Sequence, residues 1–167
     1  FLYCSSNSNI SFIEKYVSYD DCTESFTNII TEIYLEKNAK IEYVKLQTES
    51  KLSTHFSGLG IYQETDSIIN CHTFTKGVGF TRNKIFSKLI GSGSECRLNG
   101  LSIGIDSNFI DNHSIIQHSA PNTISSELYK GIYSDYSKGV FDAKVIVDNN
   151  AFKTDSEQLN NNILLSK

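Results

Sequence analysis

The sequence predicts an all-β solenoid, a parallel β-helix with about 28 residues per coil, and two observations carry that reading. Turn-forming corners recur at Asn9, Asn38, Asp66, Ser94, Pro121 and Asn150, with separations of 29, 28, 28, 27 and 29 residues, and a period in that range marks a repeat architecture. Between the corners the apolar runs are short, rich in Ile, Val, Tyr, Phe and Thr, and bounded by Asn, Asp, Ser and Gly. That composition favours strands over helices.

Each coil then resolves into parts. Five residues before the last five corners stand Ile33, Ile61, Leu89, Ile116 and Val145, read as an internal column. One position later come Tyr34, Tyr62, Ile90, Gln117 and Ile146, and two residues before the corners a solvated column of Glu36, Glu64, Ser92, Ser119 and Asp148. A second polar corner falls about halfway round, at Thr48 to Thr54, Lys76 to Thr81, Gly104 to Asn112 and Ser134 to Gly139, so each coil holds two strands. Stacking pairs every strand with its equivalent one coil away, about 4.8 Å distant. An ordinary β-sandwich makes the near-equal spacing a coincidence, and a left-handed hexapeptide helix lacks its six-residue recurrence.

The 167 residues amount to one domain, with no run long enough to span a membrane. The chain has no methionine and begins at Phe1, the mark of an internal fragment of a longer polypeptide. Net charge is −4, from 15 basic and 19 acidic residues without long blocks, which gives no footprint for nucleic acid or an anionic membrane. Cys4, Cys22, Cys71 and Cys96 are far apart and without C-x-x-C spacing, so a reducing compartment is expected rather than a disulfide framework or a structural zinc site.

Candidate chemistry is sparse. His113 and His118 are the natural first metal pair, yet their odd separation puts them on opposite faces of a straight strand. His118 shares the parity of the internal Ile116 and is expected in a polar core or corner, satisfied by backbone groups; His113 is expected exposed or at an interface. Cys71 and Cys96, measured from corners at Asp66 and Ser94, fall three columns apart on opposite faces, as buried thiols packing like small hydrophobes. Arg82, Arg97 and the lysines are read as a solvated face. Asp111 with Asn112, and Asp155 with Gln158, could belong to a carbohydrate-cleaving site, but corner Asn and Asp more often bond the turn backbone.

The last third carries ordered motifs. It reads D-N-H-S-I-I-Q-H-S-A-P (Asp111 to Pro121), S-S-E-L-Y-K-G-I (Ser125 to Ile132), K-G-V-F-D-A-K-V-I-V (Lys138 to Val147) and K-T-D-S-E-Q-L-N-N-N-I-L-L-S (Lys153 to Ser166). This order resembles the SufB/SufD core family of iron–sulfur cluster assembly, closer to the SufD branch, with one motif glycine replaced by Ala143. Weaker similarity runs through Thr27 to Ile33, Ile41 to Gln47 and Leu98 to Leu101.

The resemblance implies a right-handed β-helix core spanning residues 1–167 of a longer chain, with an N-terminal region and C-terminal SufC-binding helices outside it. It implies a scaffold subunit that is not itself an enzyme and that pairs with SufB and the SufC ATPase. The iron–sulfur cluster would be held transiently in the assembled complex, in bacterial cytoplasm or plastid stroma. Neither nucleic acid nor membrane is an expected partner. Asn161 stands where the SufB branch has a cysteine, and the family's cluster-site histidine lies beyond Lys167, so no catalytic, cofactor or metal residue carries over. The rival readings are a β-helix enzyme acting on polysaccharide and a self-assembling structural β-helix.

Overall fold

The computed structural model describes residues 1–20 and 23–166, and the expectations placed on Cys22 and Lys167 lie outside the described residues. Twelve strands follow in order: β1 (Leu2–Cys4), β2 (Asn9–Val17), β3 (Ser25–Leu35), β4 (Lys40–Thr48), β5 (Ser53–Gln63), β6 (Ile68–Lys76), β7 (Phe80–Leu89), β8 (Glu95–Gly104), β9 (Phe109–His118), β10 (Ile124–Tyr133), β11 (Lys138–Val147) and β12 (Asp155–Leu164). Odd strands form one six-stranded sheet and even strands the other. Every pair is parallel. The chain is therefore the parallel β-solenoid that its corner spacing predicts.

The corners explain the period. Asn7, Asn38, Asp66, Gly93, Asn122 and Lys153 all take a positive φ, between 55° and 73°. Asparagine, aspartate and glycine tolerate this left-handed conformation best, which is why they recur. The corner amides also form a ladder: Asn38 N donates to Thr65 O at 3.0 Å, Asp66 N to Ser92 O at 3.0 Å and Asn122 N to Phe152 O at 2.8 Å. Four expected corners shift by one to three residues, Asn9 to Asn7, Ser94 to Gly93, Pro121 to Asn122 and Asn150 to Lys153. The proline ring holds φ negative, so Pro121 can only precede the turning residue. The second corners fall inside the expected windows, with positive φ at Gly77, Asp106 and Asp135.

Ile33, Ile61, Leu89 and Ile116 are all fully buried, and Val145, in the last coil, is half-buried. The column is correct except at Leu89, which sits two positions along. Ile33 pairs with Ile61, Ile61 with Ser87 and Ser87 with Ile116, while Leu89 pairs with Gln63 and His118. One position comes from the corner, which turns at Gly93 and not at Ser94, and the other from an extra residue at the end of β7. Ile90 N and Gly91 N both donate to Gln63 O, at 2.9 and 3.0 Å, a bulge that breaks the even count.

The interior divides lengthwise. Beside the corners at Asn38, Asp66 and Gly93 it is mainly apolar, packed with Ile33, Leu35, Ile41, Ile61, Ile69, Leu89, Leu98 and Ile116, with Gln63, Ser87 and His118 as buried polar exceptions. On the opposite side Lys45, Gln47, Glu49, His55, Asn83 and Asn112 are buried. All but Glu49, which follows the end of β4, face inward by strand alternation, and each must find partners inside.

Candidate functional site

The polar half of the interior is a connected network. Lys45, one of the inward residues of I-E-Y-V-K-L-Q on β4, donates from Nζ to Asn83 Oδ1 at 2.9 Å and to Ser57 Oγ. Its ammonium also lies 5.4 Å from the Tyr16 ring centre, a cation–π contact. Burial pulls this amine down to about 8, against the opposing pull of the nearby Glu14 and Glu49 carboxylates. Asn83 Nδ2 donates onward to Gln47 Oε1 at 3.0 Å and to Asn112 Oδ1 at 3.1 Å, and Asn112 Nδ2 to Ser102 Oγ at 3.2 Å. Nearer the first coil, Glu14 accepts from Tyr43, from Tyr16 at 2.6 Å and from Thr31 at 3.3 Å. Burial first, then the Glu14 hydrogen bond, pushes the Tyr43 phenol well above its ordinary value.

The four family-like motifs each occupy one strand, β9 to β12, of the last two coils. Their glycines make room for aromatic rings. A Cβ on Gly131 would stand 2.3 Å from the Tyr133 ring, and one on Gly139 would stand 2.2 Å from it. Around this ring, at the last coil, opens a cavity of about 270 Å³ lined by Ser102, Asn112, Tyr129, Tyr133, Asn160 and Asn162 among others. Asn112 and Ser102 thus join the buried network to that cavity. Glu127, on β10, is buried beside it and accepts from Gln158, with its carboxyl raised by desolvation.

The histidines separate as their parity predicts. His118 is fully buried, but side-chain hydroxyls satisfy it, not backbone groups: Nδ1 is 2.7 Å from Thr123 Oγ1 and Nε2 is 2.9 Å from Ser125 Oγ. Burial lowers its affinity for a proton. His113 faces outward and lies against Asp111 and Asp142.

Cys4, Cys71 and Cys96 are buried free thiols. Cys71 and Cys96 do not lie on opposite faces. Both point inward, in adjacent coils, with Cys71 opposite Leu98 and Cys96 opposite Ile69. The turning residue is Gly93, one before Ser94, and moving the origin by one reverses the parity. Burial lifts the Cys96 thiol to about 12 and Cys71 further still. Such thiols are poor nucleophiles.

Among the described residues, no group of three or more His, Cys, Asp or Glu side chains stands close enough to hold a metal ion. Asp111 and Asn112 lie within β9 and not at a turn; Asp111 accepts from Arg82 Nε at 2.6 Å, and Asn112 points into the network. Asp155 is exposed, and Gln158 faces Glu127. Arg97 lies on the solvated face, bound to Glu95 and Asn70. Lys45 is the lysine that composition alone placed wrongly. Strand parity could have found it, since it alternates inward with Ile41, Tyr43 and Gln47. Asn161 is exposed on β12, opposite Lys130.

The chain is a parallel β-solenoid with a half-polar interior, and its four family-like motifs each form one strand of the last two coils. Comparison with known proteins identifies the family. The model of the SUF system FeS cluster assembly SufBD core domain matches residues 2–167, and the chain belongs to that family. It is 31% identical over 155 residues to the iron-sulfur cluster assembly protein SufD of Escherichia coli (strain K12), covering 93% of this chain and 36% of that protein. It is 28% identical over 168 residues to the SufBD family protein slr0076 of Synechocystis, covering 96% and 37%. Similarity to protein ABCI7, chloroplastic, of Arabidopsis thaliana is also 28%, covering 99% and 35%. The chain thus spans little more than a third of the length of these relatives. No helix among the described residues is long and apolar enough to cross a membrane.

Proposed function

We propose that this chain is the β-helix core of a SufD-like scaffold subunit of the SUF machinery, which pairs with SufB and the SufC ATPase and has no catalytic activity of its own. The family match over residues 2–167 on a matching parallel solenoid is the observation that carries the reading. The iron–sulfur cluster is cargo of the assembled complex, held by residues outside this core. The work takes place in a reducing compartment, bacterial cytoplasm or plastid stroma, where three buried thiols stay free.

The test is to mix the full-length protein with SufB and SufC and measure mass by light scattering. A stable heteromeric complex is expected; a strictly monomeric protein that ignores both partners contradicts the assignment. The polysaccharide-enzyme reading needs two free carboxylates across a groove, and Asp111, its leading candidate, is already engaged by Arg82.

A further inference from the structure

One side-chain cluster lies on the outer face of the odd-strand sheet. Lys84, His113 and Asp142 are direct cross-strand partners in a single outward column of β7, β9 and β11. With Ile115 and Lys144 they line a depression of about 270 Å³. Behind His113 lies Asp111, whose side chain is only 2% exposed. Its Oδ2 accepts from Arg82 Nε at 2.6 Å, and its Oδ1, 2.7 Å from His113 Nε2, lacks a well-aligned donor. On the other side, His113 Nδ1 is 3.2 Å from Oδ2 of Asp142, whose side chain is 69% exposed.

We propose that this depression binds a small tetrahedral oxyanion, phosphate or sulfate, and that the Asp142 carboxylate occupies the place of one edge of that ligand. The buried Asp111 carboxylate lies 2.7 Å from His113 Nε2 and occupies that edge of the ring, so Nδ1 is the nitrogen that meets the ligand. In the doubly protonated ring it is a charged donor aimed into the depression. Lys84 and Lys144 supply two further cations. Asp111 is offset by Arg82, which leaves Asp142 as the one carboxylate among the lining residues to oppose them. The depression is therefore locally positive on a chain of net charge −4. Because Asp142 is largely in water, an external dianion can displace it at little cost. Doing so releases the His113–Asp142 contact between β9 and β11.

The inference is independent of the SUF reading, and the full-length protein tests it directly. Sulfate is the first probe, because its charge does not change near neutral pH. Binding is followed by calorimetry and by the His113 ring signals in NMR. Asp142→Asn removes the competing carboxylate and should tighten sulfate about threefold. Lys84→Gln with Lys144→Gln should weaken it about tenfold or more. His113→Gln, which removes the ring nitrogen that faces Asp142, should weaken sulfate about threefold. These positions are outward-facing, and unchanged circular dichroism and melting temperature confirm that the variants fold. Titrating inorganic phosphate beside O-phosphoserine distinguishes a free ion from a phosphoryl group carried on a protein. Sulfate affinity that is the same in Asp142→Asn, in the double lysine variant and in the natural sequence overturns the proposal.

Discussion

Lys45 shows how much one side chain can depend on its surroundings. Its amine is brought to about 8 by burial, while in the unfolded chain it titrates near 10.5. Between those values the unfolded chain binds more protons, so stability attributable to Lys45 rises with pH across that window. Below it, the cost of burying the ammonium is fully present. The difference in unfolding free energy between the natural protein and Lys45→Met should therefore move in the natural protein's favour by about 1–3 kcal/mol from pH 7 to pH 10. Titration of the buried tyrosines and cysteines is common to both proteins and drops out of the difference. Chemical denaturation at a series of pH values measures it, and a flat difference contradicts the account. On the apolar side, Ile61→Ala and Ile116→Ala should each cost about 2–5 kcal/mol, the range for truncating a buried aliphatic side chain.

At the scale of the element, the corner is the unit that sets coil length, and its chemistry was legible. Asn38 and Asp66 were read correctly because a left-handed residue in a strand-rich chain is nearly always Asn, Asp or Gly. Ser94 and Pro121 each sit one residue from the pivot, Gly93 and Asn122, because composition marks a turn without marking its pivot. That single step is enough to reverse the face assigned to Cys96. The bulge after Leu89 was invisible for a related reason: the residues that make it, Ile90 and Gly91, fit an unbroken count equally well. Gly91 lies tight against the preceding corner, and a Cβ there would stand 1.9 Å from Thr65 N. Gly91→Ala should cost about 3 kcal/mol or more, since backbone must move to admit it. A melting temperature unchanged by this substitution would count against the packing of that corner.

Across the whole molecule, spacing and β-rich composition made the solenoid legible, and the motif order made the family legible. The polar half of the interior was not, because Lys45, Asn83 and Asn112 carry residue types that composition assigns to solvent. Only the strand register shows that they meet. That register also shows what these residues do not bring together: His113 and His118 face opposite ways, and Cys71 and Cys96 are packed in the apolar half. The central claim is a scaffold core whose cluster is held elsewhere in the assembled complex, and reconstitution with iron and sulfide tests it most directly. The 167-residue chain alone should remain colourless, with the visible absorption of an iron–sulfur cluster appearing only when the full-length protein is reconstituted together with SufB and SufC. A stable chromophore on the isolated chain, lost on Cys71→Ser, would contradict the account.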